Sequence, residues 1–576
     1  MMMNNLGNLY AKKAISQIPR ILSMLDRNEK SPTYGCFDRI YWLDKSIDFP
    51  SAILQLNTHI LALVYSYQYP DNIFYKQDKI KKWCFAGIKY WIKIQHKDGS
   101  FDEFYPNERG WAGPTGFLLF SMLDSYMLLK DEMPQQLKDE LIKSSYKAAR
   151  YLADHDESGI LANHHAIALV AIYYAYKILN DDYLLKSFYK KFEFFCSLQS
   201  SEGWFLEYDG ADLGYLSATI SFLGKLYDLT DDEELKSRIS NIVPKAIEFT
   251  SYFVYPNKFY GGTIGSRQTL HFYPQGYEIF SSKFPLARII ADRMLEGLAE
   301  GKLVPPEVMP WRYLGYRVQE YLLAYRSYSP ARPNKDVGLP CESPKFVKFF
   351  NDAKMLIAKK PNYYLVCNLA KGGVIKLFNS NGELIYNDCG IIGQFEEGTI
   401  ITSQWIDKEY KINRIGNEVT VEGKMNLAPF KLLTPLKMII FRMVLLGLGW
   451  NTKLSYWLKG VIRKSFITKT KRAPVEFCRR IIFNENDIEV HDLVKLKTTN
   501  KLVSLQIGDE FSVRYVPQSL YFQSQELGIG GFHLESTDLE ELNLNKEITF
   551  KRTIDPISKR VEFEHVAHGH KRNDVI

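Results

Sequence analysis

Cysteine motifs, long apolar runs and, in one segment, acidic residues are missing from this sequence, and each absence narrows its function. The seven cysteines include no C-x-x-C pair, so the sequence predicts neither a zinc framework nor a set of disulfides. No apolar run is long enough to span a bilayer, and the N-terminal residues lack the apolar core of a signal peptide. We therefore predict a cytoplasmic protein in a reducing compartment.

Acidic residues are absent between Glu422 and Glu476, although eleven Lys or Arg residues lie there. They are interleaved with the apolar and aromatic stretches LLTPLKMIIFRMVLLGLGW and LSYWLKGVI. This pattern is typical of amphipathic helices that lie flat on an anionic membrane surface. The alternative is a helical insertion that packs on the rest of the protein or mediates self-association. The insertion at about 423–475 thus predicts peripheral contact with the inner membrane face, or with protein.

The composition that is present suits a large protein with an anionic partner. A chain of 576 residues is long enough for two or more domains. Aromatic residues make up 14% of it, and the net charge is +7. Aromatic rings pack on sugar surfaces, and positive charge attracts polyanions. An acidic polysaccharide or a lipid-linked glycan is therefore the expected partner, and no nucleic acid, because the basic residues concentrate in an apolar insertion.

Helical periodicity dominates residues 1–335. Apolar residues recur at three-and-four spacing in segments 51–68, 79–95, 115–130, 136–153, 163–179, 181–199, 213–229, 232–250 and 283–300. A weak repeat, IQHKDGSF at 94–101 and LQSSEGWF at 198–205 with ADHDESGI between them, gives a unit of about fifty residues, the size of one helical hairpin. This region is predicted to be an (α/α) toroid.

The pattern changes after the Pro-, Ser- and Gly-rich segment 327–345. Short β-rich runs follow, among them YYLVCNL, GVIKLF, NEVTVEG, DIEVHDLVKL, FSVRYV and EITFKRTI, with NSNGE as a hairpin turn. We predict an antiparallel β-sandwich over 345–576. The fold class is thus α+β multidomain, with a helical toroid followed by a sandwich.

Polar clusters in the helical half supply candidate site residues. Asn163 and His164 open an apolar helix, where free backbone N–H groups favour a bound anion; adjacent helical residues diverge by about 100°, so His165 is expected to pack outward. The other candidates are Arg39, Trp42, Asp209, Tyr215, Arg267, His271, Tyr273 and Tyr277.

These residue types fit proton abstraction next to a carboxylate. Removal of the C5 proton of a uronic acid needs a neutralised carboxylate and a proton acceptor, roles suited to Asn, His or Arg and to Tyr or His respectively. A tyrosine can carry the proton only if nearby cations lower its pKa. Elimination of the 4-linked sugar then follows, and neither a metal nor an organic cofactor is needed.

The DG turns, the Asn-His pair, the Tyr-bearing turn, the later His and the sandwich together resemble the heparinase II/III-type polysaccharide lyases. GGVIKLFNSNGELIYNDCG at 372–390 also resembles the start of that family's sandwich. The resemblance implies that Asn163 and His164 neutralise the carboxylate, Tyr215 is base or acid, His271 exchanges protons with it, and Arg267 binds substrate. The missing secretion signal and the insertion favour a relative in bacterial surface polysaccharide assembly inside the cell.

Three other functions remain open from the sequence. A uronate C5-epimerase shares the first half of the reaction and differs only in where the second proton is delivered. A toroid glycoside hydrolase needs two carboxylates, for which Asp98, Glu103, Asp209 and Asp212 are available. A non-catalytic glycan-binding assembly protein would keep the aromatic groove and use Asn163 and His271 only structurally.

Overall fold

The computed structural model describes residues 6–109, 112–157, 159–330, 337–428, 432–463, 471–508, 531–565 and 571–575. Its helices before the first large sheet are α1 Asn8–Ile15, α2 Ile18–Met24, α3 Asn57–Ser66, α4 Asp78–Ile94, α5 Ala112–Leu129, α6 Gln135–Asp154, α7 Ala162–Leu179, α8 Asp182–Ser197, α9 Leu213–Leu229, α10 Glu233–Ser251, α11 Gln275–Phe280, α12 Pro285–Ala299 and α13 Trp311–Ser327. The helix expected over 51–68 is shorter, because residues 52–56 form a 3-10 turn before α3.

Six helices in the described part of this region form an inner ring. Contacts run from α3 through α5, α7, α9 and α11 to α13, which returns to contact α3. Helices α5, α7 and α9 are apolar on nearly all sides and almost entirely buried, whereas α4, α6, α8 and α10 bury one face only. Helices buried on all sides belong inside and amphipathic helices outside, so the predicted α/α toroid is confirmed.

The repeated Gln and Gly residues make equivalent contacts in two hairpins. Gln95 donates from Nε2 to the carbonyl of Gly99 at 3.3 Å and to that of Ser144 at 2.9 Å. Gln199 does the same to Gly203 and to the outer helix α10. Both glycines have φ near +100° and face a backbone carbonyl where a Cβ would collide. The repeat therefore reflects the packing of successive hairpins.

Strands begin at Phe346, nineteen residues after α13 ends at Ser327. A small hairpin, β1 Leu206–Glu207 with β2 Gly210–Ala211, belongs to the toroid. An antiparallel five-stranded sheet consists, in spatial order, of β3 Phe346–Phe350, β4 Met355–Lys360, β5 Tyr363–Asn368, β6 Val374–Asn379 and β7 Leu384–Asp388.

The larger sheet is built from eleven strands: β8 Ile391–Phe395, β9 Ile400–Thr402, β10 Lys411–Ile415, β11 Glu418–Leu427, β12 Arg472–Phe483, β13 Ile488–Leu496, β14 Leu502–Ile507, β15 Phe532–His533, β16 Glu547–Asp555, β17 Arg560–His565 and β18 Lys571–Val575. Their spatial order is β15-β14-β8-β9-β11-β12-β13-β16-β17-β18, and β10 pairs with β11.

The five-stranded sheet lies between the toroid and the larger sheet. Ile357 and Tyr364 on one face join the core of the toroid, whereas Leu356 and Leu365 on the other face pack against Ile481 of the larger sheet. Strand residues alternate between faces, so one sheet serves both interfaces. The predicted sandwich is confirmed, although the run FSVRYV lies outside the described residues.

The basic insertion forms two helices, α14 Pro435–Leu448 and α15 Thr452–Arg463, between β11 and β12. They contact the toroid at the loops that precede α5 and α7. A third helix of this half, α16 Ser536–Asn545, packs against β14 and β16. No helix in the described ranges is long and apolar enough to cross a membrane.

Candidate active site

The candidate site lies where α7 and α9 begin and where the segment 259–274 contacts the start of α9. Asn163 and His164 are in the first turn of α7. The β1–β2 hairpin leads into α9, and a bridge between Leu161 and Glu207 ties this hairpin to the start of α7. Asp212 caps α9 by accepting from the Tyr215 backbone N–H at 3.3 Å. Local chain geometry thus brings two helix N-termini to one rim of the toroid.

Asn163 is bound to a buried carboxyl group that the sequence analysis overlooked. Its Nδ2 lies 3.0 Å from each carboxyl oxygen of Glu207, and its backbone N–H donates to Oε1 at 2.6 Å. Burial raises the pKa of Glu207 to about 8, even though these hydrogen bonds favour the charged form. At neutral pH, Glu207 is therefore mostly protonated, and the Asn163–Glu207 pair is mostly uncharged.

His164 points to α5 rather than to Glu207. Its Nδ1 lies 2.9 Å from Glu157 Oε2, which also accepts from the first N–H groups of α5. Burial opposes ionisation of Glu157, but the His164 hydrogen bond and nearby cations hold the pKa of Glu157 below its usual value. His165 packs against Phe194, with ring centroids 5.3 Å apart. The two histidines thus face opposite sides of α7, as expected from helical geometry.

His271 lies between two tyrosine rings. Its centroid is 5.5 Å from that of Tyr215 and 5.4 Å from that of Tyr273. The residue is 1% exposed, and neither ring nitrogen has a hydrogen-bond partner among the described residues. Burial, assisted by the Arg317 cation, holds the pKa of His271 well below its usual value. The imidazole is therefore neutral at neutral pH, with a lone pair on one ring nitrogen.

Tyr215 differs from its sequence prediction in one respect. Burial, with smaller contributions from Tyr208 and Asp212, raises its pKa well above the usual value for a phenol. The sequence prediction makes proton transfer by a tyrosine conditional on nearby cations that lower its pKa; that condition is not met, because desolvation dominates the environment of the hydroxyl. Tyr215 therefore keeps its proton at neutral pH, so it has a proton to donate and is not a base.

Arg267 is a buried cation beside this group, with 1% of its surface exposed. Its Nη2 donates to Asp209 at 3.0 Å, and the guanidinium lies over the Tyr208 ring, 4.3 Å from the centroid. The Arg267 backbone N–H donates to Asp212 at 2.8 Å, so the cap of α9 also fixes this loop. The Tyr208 ring lies 6.3 Å from that of Tyr215. The Tyr208 ring thus lies between the Arg267 guanidinium and the Tyr215–His271 pair.

Two side chains of the sheet domain hydrogen-bond to the backbone of residues 263–265, which precede Arg267. Lys371 donates from Nζ to the carbonyls of Thr263 and Gly265, each at 2.8 Å, and Asn368 donates to the carbonyl of Ile264 at 2.7 Å. Burial lowers the pKa of Lys371 to about 7. These contacts hold the backbone immediately before Arg267, so the site is built by both domains.

Three predicted substrate ligands are not brought into this group. The Tyr277 ring is fully buried in α11, stacks near Phe272, and its hydroxyl lies 3.1 Å from Thr250 Oγ1. We correct its role to core packing. Trp42 donates to the Met24 carbonyl at 2.8 Å, and Arg39 is exposed. No contact within the described ranges connects either residue to His271.

Arg317 and Glu103 add charge near the site. The Arg317 guanidinium lies over the Tyr273 ring, 4.1 Å from the centroid, and was not identified from the sequence. Burial raises the pKa of Glu103 to about 7, despite the Arg312 cation nearby. Arg317 has no flanking motif, whereas Glu207 directly precedes the Tyr208-Asp209-Gly210 turn and could have been noticed there. In the described part of the chain, no three His, Cys, Asp or Glu side chains are grouped as metal ligands.

A toroid of helical hairpins joined to antiparallel sheets is also the fold of solved polysaccharide lyases. Among solved structures, the chain is similar to the chondroitin AC lyase of Streptomyces coelicolor A3 bound to chondroitin sulphate. The identity is 8% and the TM-score 0.54, over 87% of this chain and 67% of that one.

Two further structures extend the comparison. A mutant of the same chondroitin AC lyase has a TM-score of 0.50 at 8% identity, with the same coverage. The heparan sulfate lyase HepC from Pedobacter heparinus has a TM-score of 0.38 at 11% identity, over 86% of this chain and 70% of that one, which is too low to add weight. No family model and no curated protein matches the chain. The likeness shows the fold, and the lyase fold expected from the sequence is confirmed.

Proposed function

We propose that this protein is a lyase that cleaves a uronic-acid-containing polysaccharide by β-elimination at the Tyr215–His271 pair. The observation that carries the proposal is the neutral, buried His271, whose ring nitrogens have no partner among the described residues. Leaving a buried polar group unpaired costs about 1–3 kcal/mol. Such a residue is favoured where a substrate group supplies the missing partner.

The protonation states of the pair match the two proton transfers of the reaction. His271 accepts the C5 proton, the C5–H electrons form the C4=C5 double bond, and the C4–O4 bond breaks. Tyr215 gives its proton to the departing oxygen. The resulting imidazolium and phenolate are neighbours, so a proton passes from His271 to Tyr215 and restores both residues.

The groups around the pair suit a substrate carboxylate. The mostly protonated Glu207, held by Asn163, adds little negative charge at neutral pH, and Arg267 provides a cation whose direction is fixed by Asp209. Charge that develops on the uronate as the C5 proton leaves is stabilised by such preorganised groups. Ionisation of Glu207 above pH 8 would oppose substrate binding.

The test is turnover of acidic glycans, followed by ultraviolet absorbance of the unsaturated uronate product. We expect His271→Ala and Tyr215→Phe each to lose activity by about a hundredfold or more, as for removal of a general acid or base. Tyr277→Phe is the matched control, because this tyrosine packs in the core away from the pair. Full activity in both site variants would refute the site, and new reducing ends without the absorbance would indicate a hydrolase.

A uronate C5-epimerase is the second candidate, because a neutral base beside a neutral acid also serves proton removal and return. The same variants distinguish the two reactions in deuterated solvent. Exchange at C5 with unchanged chain length would identify the epimerase, whereas exchange coupled to chain cleavage supports the lyase. Tight glycan binding that neither reacts nor depends on His271 would favour a binding protein.

A further inference from the structure

The helical hairpin α14–α15 directs apolar side chains away from the protein. Twelve of the 26 exposed large apolar side chains among the described residues lie between 432 and 461. In α14, only Leu445 is buried. Trp450 is 82% exposed and Trp457 is 61% exposed. We call this surface the hairpin face, and it comprises Leu436, Ile439, Ile440, Met443, Trp450 and Trp457.

The opposite side of the hairpin is attached to the toroid by polar contacts. Ser455 Oγ donates to the Asn107 carbonyl at 2.6 Å, and Asn107 Nδ2 donates to the Leu445 carbonyl at 3.3 Å. Lys459 pairs with Glu108 in a buried contact. The attached side also includes the buried Leu445 and the Phe441 ring, which lies 5.6 Å from that of Tyr105. An ordinary surface helix has a polar outer side, whereas the outer side of this hairpin is apolar. The hairpin therefore presents apolar area that the described protein does not cover.

This hairpin lies on the rim that carries the candidate site. The Tyr456 hydroxyl donates to the Glu157 carbonyl at 3.5 Å, and Glu157 in turn holds His164. Thr452 contacts Asp98 in the loop before α5. Whatever meets the hairpin face is therefore close to the loop that holds His164, at the start of α7.

The charge of the hairpin selects among partners. No Asp or Glu lies between Glu422 and Glu476, and Lys437 and Lys453 are exposed, with no ion pair in the part of the chain described. Anionic lipid headgroups would neutralise these lysines, while the indole rings of Trp450 and Trp457 suit the interface between headgroups and acyl chains. A second copy of this chain would bring like charges together.

We propose that the hairpin face binds the surface of an anionic lipid bilayer and holds the rim of the site against it. The 14-residue α14 is shorter than the roughly 20 residues needed to span a bilayer, so the hairpin lies along the surface. The substrate class that fits this position is an acidic glycan carried on a lipid. That substrate assignment rests on the proposed lyase function, whereas bilayer binding does not.

The test is co-sedimentation of the full chain with phosphatidylcholine vesicles, with and without phosphatidylglycerol. We expect binding to the anionic vesicles and a blue shift of tryptophan fluorescence. The triple variant Ile440→Ser/Trp450→Ser/Trp457→Ser should lose binding by about tenfold or more, because it removes apolar anchors. Ile73→Ser/Leu544→Ser, which changes exposed apolar residues elsewhere, is the control and should bind normally.

Two further measurements separate lipid charge from self-association. Lys437→Gln and Lys453→Gln should each weaken binding to anionic vesicles by about fivefold and leave the weak binding to neutral vesicles unchanged. Absence of vesicle binding, or binding that the triple variant retains, would overturn the proposal. So would a concentration-dependent dimer that the triple variant abolishes while vesicles do not compete. Lyase activity on a soluble glycan is measured separately, so failure of one proposal is distinguishable from failure of the other.

Discussion

Both domains bury ionisable groups, but the buried arginines of the sheet domain form ion pairs, whereas His271 and Glu207 at the toroid rim are mostly uncharged at neutral pH. In the sheet domain, Arg479 donates to Asp492 at 2.6 and 3.0 Å and to Asp388 at 3.0 Å, and Arg552 contacts the same two carboxylates. The four side chains are at most 2% exposed and carry balanced charge. At the toroid rim, by contrast, the ring nitrogens of His271 have no hydrogen-bond partner among the described residues, and burial raises the pKa of Glu207.

This difference in pairing distinguishes buried ionisable groups that stabilise the fold from those that serve the chemistry of the site. Paired buried charges satisfy one another within the fold, so their removal is expected to affect stability. Buried groups that are unpaired or held neutral weaken the fold, and they are commonly found where an enzyme needs particular protonation states. The comparison therefore assigns a structural role to the Arg479 cluster and a chemical role to the rim. The predictions below test that assignment, from the largest expected effect to the smallest.

Replacement of His271 should separate activity from stability most strongly. We expect His271→Phe to reduce turnover by about 10² to 10⁴-fold, because the proton acceptor is lost. The free energy of unfolding should not fall, since an aromatic ring replaces an unpaired polar one. Glycan turnover and urea denaturation measure the two effects. A variant that unfolds easily and keeps its turnover per folded molecule would reverse the assignment.

Replacement of Arg479 should show the opposite behaviour. Arg479→Met leaves Asp388 and Asp492 with less compensation and should lower the free energy of unfolding by about 3–5 kcal/mol. Turnover per folded molecule should be unchanged. Arg480→Met on the same strand is the control, because its ion pair with Glu418 is exposed to solvent and its loss is expected to change stability little. Equal losses in both variants would contradict the structural role.

Glu207 should make stability depend on pH. Its pKa is raised from about 4.5 to about 8 on folding, so its favourable contribution is complete below pH 4.5 and is lost as the pH rises through 8. Glu207→Gln stays neutral and should be more stable than the parent by roughly 2–4 kcal/mol at pH 9. Urea denaturation at pH 4.5 and 9 measures the difference, with the exposed Glu234→Gln as control. A gap that is the same at both pH values would disprove the raised pKa.

Asp209 should have the smallest effect. Asp209→Asn loosens the direction of Arg267 without removing the cation, so KM should rise by about threefold to tenfold while kcat changes little. Steady-state kinetics on a uronate-containing glycan separates the two constants. A fall in kcat at unchanged KM would mean that Arg267 acts in the chemical step rather than in binding.

The sequence predicts the long amphipathic helices well, because their periodicity reports burial directly. The long apolar runs of α5 and α7 also predict buried helices, and the Gln–Gly repeat predicts the hairpin ends. The short α11 and α16 lack it, since six or ten residues hold too few periods to distinguish from loops. For the insertion, the sequence left membrane contact and packing on the protein as alternatives. In the structure one side of the hairpin contacts the toroid, and membrane contact by the other side stays a prediction.

The candidate site is predicted less completely. Asn163, Tyr215, Arg267 and His271 converge on one rim, but their catalytic roles stay predictions until variants are measured. The raised pKa of Glu207 could not be predicted, because it depends on burial by segments distant in the chain. Tyr277 was misplaced for the same reason, since a tyrosine on a polar loop and one in a core look alike in sequence.

The bonds from Lys371 and Asn368 to the loop before Arg267 have a consequence for how this protein can change. A toroid produced without the sheet domain would lose the hydrogen bonds that hold the loop before Arg267. A sandwich exchanged from a distant relative would restore them only if it had Lys and Asn at the positions of Lys371 and Asn368. The two domains therefore cannot be inherited as separate modules. Recombination at their junction is expected to yield inactive chimeras.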